Sequence, residues 1–419
     1  MSTSPEKYDD FWEFSPSGEY TVPTEAIDVV RVRSSVLGFL RRLTQGEKKK
    51  VSPLDPTDDL LSLSGERLTK AVPAPAWEEA AALFEGRVRP WLETEEPSKS
   101  VVFYVAPPYS GREEILRQWA GDNKVSLVKE PTPEIILGES SKWLRAWPKK
   151  GPWLLPQLER CFLRHASGLD LVRELLSGMM SGELGRGIVG CDSWTWQYLQ
   201  HVLPGRSAFT LSAKAFDAQR LQQLFGENIF EQNGIEDAFR QADNGSYLFP
   251  ERQGGDDVAA ANSFWRGLAA RSRGNIGVAR AYWQRALRTL PEKELEEQEA
   301  ESRQADSRQA PSRQDESRQA KRATIWVTPW EDLLQPALPK GSGENELFVL
   351  QALLLHAGLD EGGLKRTLPL DQASITELLH FLEEAELVGR TDGKWYVTAY
   401  GYPTVRAALQ TNDYLCDAF

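Results

Sequence analysis

Residues 101–113 read Val101-Val102-Phe103-Tyr104-Val105-Ala106-Pro107-Pro108-Tyr109-Ser110-Gly111-Arg112-Glu113. Val101 to Val105 is an unbroken apolar run, as expected of a parallel strand buried on both faces. Pro107, Pro108 and Gly111 mark a turn, and from about Glu113 to Ala120 the pattern is helical. A strand, a short loop closing on glycine and a helix form the setting of a phosphate-binding loop, G-x-x-x-x-G-K-[ST]. The spacing fits, but most of the signature does not. Ala106 stands at the first glycine, Gly111 at the second, Arg112 at the lysine and Glu113 at the hydroxyl residue.

Each replacement has a physical consequence. Arginine keeps the charge of the loop lysine but is a broad planar fork instead of a compact ammonium. The hydroxyl normally ligates Mg²⁺, whereas Glu113 would set a negative charge against a triphosphate. Pro107 and Pro108 have no N–H, so they remove donors from a cradle that works through backbone N–H groups. The helix N-terminus at Gly111 and Arg112 still favours an anion.

Working outward, strand and helix patterns alternate. Val125–Val128, Trp153–Leu155, Gly187–Gly190 and Phe209–Leu211 read as further strands, which predicts an α/β fold with a parallel sheet. Trp153–Leu155 runs into Pro156-Gln157-Leu158-Glu159, so the two residues after this strand carry no carboxylate. Glu159 is expected on a solvated helix face. The fourth strand ends in Cys191-Asp192-Ser193, where a helix N-cap is one reading. After Ser212 the strand signal stops. Phe216–Phe225, Gly234–Ala242 and Asn262–Leu290 read as helices, hence an all-helical subdomain.

The flanks are more polar. Residues 1–23 are expected to be mostly disordered, and residues 51–76, rich in Pro, Asp and Ser, read as a linker before a helix over Trp77–Leu92. Between them Thr24–Leu43 approximates helical spacing with Arg31, Arg33, Arg41 and Arg42, followed by Lys48, Lys49 and Lys50. Such a stretch either packs on the core or docks on a partner or an anionic membrane surface. Ser-Arg-Gln recurs at Ser302, Ser307, Ser312 and Ser317, which marks low-complexity linker. Beyond it come helices over Glu346–Ala357, Gly363–Leu368 and Gln372–Ala385, then a hairpin turned at Asp392-Gly393, the pattern of a winged helix. The expected plan is a flanking region over 1–76, an α/β core over 77–212, a helical lid over 213–291, a linker over 292–323 and a winged helix over 324–419.

On these residues the chain resembles the AAA+/STAND branch of P-loop NTPases, in a layout similar to archaeal replication-initiator ATPases. Val101–Ala120 looks like a worn Walker A element, Gly187–Trp196 like the sensor-1 strand, and Gly267–Trp283 like the lid helix pair that carries sensor 2. The resemblance implies ATP or ADP as cofactor. It implies contacts from Ser110, Gly111, Arg112 and Glu113, from Asp192 as γ-phosphate sensor, and from Arg280 across the lid. The departures at Ala106, Arg112, Glu113, Pro156 and Gln157 imply a regulatory or scaffold pseudo-ATPase. The rivals are an active ATPase of unusual chemistry and a DNA-binding initiator.

Bulk properties narrow the partners. The 419 residues carry a net charge of −12, which disfavours a general nucleic-acid or membrane coat. The helix from Asp371 to Leu387, where a winged helix would read DNA, contains Glu377, Glu383, Glu384 and Glu386 but no Lys or Arg. A protein partner or self-association is expected instead. Three isolated cysteines, no long apolar run and a polar start at Met1–Asp10 suit a cytoplasmic protein. The 4 histidines have no ligand spacing, and the 14 tryptophans are expected chiefly in packing.

Overall fold

The computed structural model describes residues 11–23, 60–291 and 323–419, apart from residues 73, 96–98, 139, 149, 204–207, 254–257 and 331. The Arg-rich stretch 24–43 and the Ser-Arg-Gln segment lie outside the described residues. The core sheet contains strands β1 (Phe14–Pro16), β3 (Val101–Ala106), β4 (Ser126–Leu127), β5 (Trp153–Leu155), β6 (Gly187–Asp192) and β7 (Phe209–Ala213). Their order is β1-β7-β3-β6-β5-β4, and every pairing is parallel except that of β1 with β7. All of β3 is buried, which is why its sequence lacks alternation.

Successive side chains of β3 nevertheless serve two different layers. Val102, Tyr104 and Ala106 join Phe84, Ile115 and Trp119 from helices α2 (Trp77–Glu93) and α3 (Arg112–Asp122). Val101, Phe103 and Val105 join Val172, Leu175, Met179 and Leu199 from α4 (Asp170–Ser181) and α5 (Ser193–Val202). The sheet is therefore covered on both faces and holds the β3–α3 loop at its carboxyl edge.

Residues 11–23 and 60–72 are more ordered than their composition suggests. Phe11, Trp12 and Phe14 are buried, with the Phe14 ring 5.5 Å from Phe84 and 5.7 Å from Tyr104. Residues 11–23 are thus not disordered: their few aromatics close one edge of the core. Residues 60–72 likewise are not a plain linker. They form β2 (Leu61–Ser62) and α1 (Gly65–Ala71) and bury Leu63, Ala71 and Val72.

The lid is not all-helical either. Helices α6 (Ala218–Gly226), α7 (Val258–Ser272) and α8 (Ile276–Ala286) pack with a second sheet of order β2-β9-β10-β8. Its other strands are β8 (Ala238–Gln241), β9 (Leu287–Thr289) and β10 (Thr324–Val327). Strands this short show no period, and they exist because distant strands complete their hydrogen bonds. The pairing also moves residues 324–327 out of the C-terminal unit and into the lid. An aromatic core, including Trp265 and Trp283 stacked at 5.5 Å, fills this subdomain.

The C-terminal unit comprises α9 (Glu344–Leu355), α10 (Glu361–Thr367), α11 (Gln372–Glu384), β11 (Val388–Thr391), β12 (Lys394–Val397) and α12 (Tyr402–Thr411). Asp360 and Asp371 cap α10 and α11 through the N–H groups of Gly363 and Ser374. Asp392 and Gly393 both take positive φ, which matches the tight hairpin turn. Among the described residues, no helix is long and apolar enough to cross a membrane.

Candidate functional site

The β3–α3 loop is shaped by two left-handed residues, Tyr109 at φ 67° and Gly111 at φ 78°. A Cβ on residue 111 would overlap the Trp77 ring, so both the backbone angle and the close approach require glycine. Ser110 is buried, and its Oγ has no hydrogen-bond partner among the described residues.

Arg112, the first residue of α3, points across the ends of the strands to Glu159. The pair is bidentate: Nη2 donates to Oε1, and Nη1 donates to Oε2 at 3.2 Å. Glu159 is 1% exposed and also accepts from the Asp192 N–H at 3.1 Å. It sits on the single 3-10 turn Leu158–Arg160, not on a solvated helix. Burial opposes the Arg112 charge, but the Glu159 and Asp192 carboxylates outweigh it and hold the guanidinium pKa above its ordinary value. Glu113 is engaged as well: it accepts from Gln157 Nε2, and from Arg117 Nε at 2.6 Å. Arg112 and Glu113 thus fasten the β3–α3 loop to the segment after β5.

Asp192 takes the helix-capping role, accepting from the Trp194 N–H at 3.0 Å at the start of α5. Burial pushes its carboxyl well above the usual range, against the pull of Arg112. Ser193 turns away, its hydroxyl donating to Asp417 of the C-terminal unit. Arg280 on α8 is half-buried rather than exposed and donates to the Val72 carbonyl at 2.7 Å.

The lid rests directly on the loop. Asn275 caps α8 through the N–H groups of Gly277 and Val278, and its Nδ2 donates to the Pro108 carbonyl at 2.6 Å. Gly277 N–H donates to the Tyr109 carbonyl at 3.1 Å. A cavity of about 560 Å³ remains, and Ser110, Gly111, Arg112, Glu113, Asp192 and Arg280 all line it. The C-terminal unit closes its far side with Leu353, Ala357, Gly358 and Tyr396.

A magnesium triphosphate does not fit these residues. Its phosphates would need Arg112, which Glu159 already holds, and its metal would meet Glu113 and Gln157 where a hydroxyl and a free acid are required. Among the described residues, no three His, Cys, Asp or Glu side chains group as a metal site. Sequence reasoning noted Glu159 but placed it on a solvated helix, and it did not single out Arg160. The signal was present: Glu159 lies between Leu158 and Cys161-Phe162, directly after an apolar strand. A buried acid in that setting calls for a cation.

No protein-family profile matches the chain, and no curated protein matches it in sequence. Among solved structures it is similar to the RuvB Holliday junction branch migration motor of Thermotoga maritima, at 12% identity and TM-score 0.31, over 82% of this chain and 99% of that one. It is also similar to a Walker-type ATPase of Pyrococcus abyssi, at 12% identity and TM-score 0.29, over 80% and 96% of the two chains. A third is Cdc6p of Pyrobaculum aerophilum, at 12% identity and TM-score 0.29, over 82% and 97%. These likenesses are distant. The α/β fold with its mostly parallel sheet is P-loop NTPase-like, and the chemistry of the site follows from its own side chains.

Proposed function

We propose that this protein is a regulatory or scaffold AAA+-like pseudo-ATPase that works through protein contacts and does not hydrolyse ATP efficiently. The single observation that carries this is the buried bidentate Arg112–Glu159 pair. In phosphoryl transfer the loop cation and the metal supply most of the charge stabilisation. Here the cation is neutralised internally, and the metal-binding hydroxyl is replaced by a carboxylate that is itself paired. Any ATP or ADP that enters must compete with Glu159 for Arg112. The acidic, winged-helix-like C-terminal unit suits a basic protein surface better than duplex DNA, because non-specific DNA binding is largely counterion release by Lys and Arg. Self-association and membrane contact through the Arg-rich segment 24–43 are further proposals of the same kind.

The test is an ATPase assay on the purified full chain, with nucleotide binding measured with and without Mg²⁺. Turnover near ~1 s⁻¹, the low end of ordinary enzyme values, abolished by Arg112→Ala, would sink the proposal.

A further inference from the structure

Two adjacent residues of one short turn hold two different parts of the molecule. Glu159 reaches back to Arg112 on the phosphate loop and to the Asp192 N–H. Arg160 reaches forward to the C-terminal unit, where Nη1 donates to the Gly358 carbonyl at 2.7 Å and Nη2 to the Ala357 carbonyl at 2.6 Å. Those carbonyls lie just past the end of α9, where the helix leaves acceptors unsatisfied and presents the negative end of its dipole. Core residues satisfy the neighbouring groups too. Thr195 Oγ1 donates to the Leu355 carbonyl at 2.6 Å, and the Arg164 N–H donates to His356 Nε2 at 3.3 Å. The end of α9 is thus one docking point of the C-terminal unit, with Arg160 as its cation; the bonds from Trp194 Nε1 to the Tyr402 hydroxyl at 3.1 Å and from Arg273 Nε to the Phe419 carbonyl at 3.0 Å are others. This same end of α9, with Tyr396 beside it, forms the far wall of the cavity.

We infer that the turn Leu158–Arg160 couples the phosphate loop to the C-terminal unit, so that an oxyanion which draws Arg112 away from Glu159 loosens the unit and opens the cavity. Glu159 and Arg160 are neighbours on one three-residue turn, and the Glu159 carboxylate also fixes the Asp192 N–H, so a shift of that turn moves both side chains together. The coupling runs both ways. A partner that lifts the C-terminal unit frees Arg160 and weakens the hold on Arg112, because linkage is reciprocal. The inference rests on the proposed internal neutralisation of Arg112, and it adds the regulation of that same site.

The test is hydrogen–deuterium exchange on the full chain, comparing wild type with Glu159→Gln, Arg112→Lys and Arg160→Gln. Glu159 and Arg112 make no side-chain hydrogen bond to the C-terminal unit among the described residues. Even so, both of their variants should raise exchange across Val349–Gly358 and Gly389–Val397 by about threefold or more, as Arg160→Gln should directly. Arg112→Lys keeps the charge but loses the fork, so it serves if the glutamate variant folds poorly. The coupling is overturned if Arg160→Gln raises exchange there while Glu159→Gln and Arg112→Lys leave it at the wild-type value, or if none of the three changes it. ATP turnover by the wild-type chain would refute the pseudo-ATPase proposal without altering this comparison.

Discussion

The Nδ2 of Asn275 lies 2.6 Å from the carbonyl oxygen of Pro108, while the Oδ1 of the same side chain accepts from the N–H groups of Gly277 and Val278. One amide therefore starts α8 and ties it to the β3–α3 loop.

Asn275→Ala should lose both functions. Removing a cap of this kind costs about 1 kcal/mol, with a range of roughly 0.5–2, and the lost donor adds to it. Asn275→Asp keeps the cap but faces the Pro108 carbonyl with an acceptor, so it should fall between wild type and alanine. Urea denaturation of the three proteins checks the order.

Gly277→Ala should be worse than its size suggests. The new Cβ would overlap the Tyr109 carbonyl, a backbone atom that cannot swing away. Overpacking of this sort costs typically about 1–3 kcal/mol. A midpoint equal to wild type in the same denaturation series would show that the lid sits less tightly on the loop than described.

Breaking the Arg112–Glu159 pair on one side should be costly, because it strands a buried charge. Glu159→Ala is expected to lose about 3–5 kcal/mol. The double variant Arg112→Met with Glu159→Leu should recover much of that loss. If the single and double variants are equally unstable, the pair is not the chief term.

His356 gives a pH signature. Burial lowers its pKa to about 3 from an ordinary value of 6.5. Below 6.5 the unfolded chain takes up a proton that the folded chain refuses, so this contribution to stability is lost as pH falls from about 6.5 towards 3. Burial moves Asp192 and Asp417 upward, and their contributions run the opposite way, being lost as pH rises from the ordinary carboxylate range. The histidine term is therefore read as a difference: wild type should lose stability faster than His356→Gln over that window, by an amount on the order of a few kcal/mol. Parallel stability–pH curves for the two proteins would contradict it.

Local pattern was enough to place the main elements of the core. The apolar runs at Val101–Val105 and Trp153–Leu155, the turn at Gly111 and the Asp392-Gly393 hairpin are set by backbone geometry and by burial on both faces, which neighbouring residues record. The mismatch with the phosphate-loop pattern at Ala106, Arg112 and Glu113 was equally legible, because it concerns residue identity at fixed spacing. What the sequence could not show is where those charges go. Arg112 and Glu159 are 47 residues apart, and only the parallel stacking of β3, β6 and β5 brings their helix and turn to one edge. The small lid sheet is of the same kind, since strands of two to four residues gain their hydrogen bonds from partners far along the chain. Short-range periodicity reports which side of an element is buried. It carries no information about which distant group will neutralise a buried charge, and in this protein that pairing decides what the site can do.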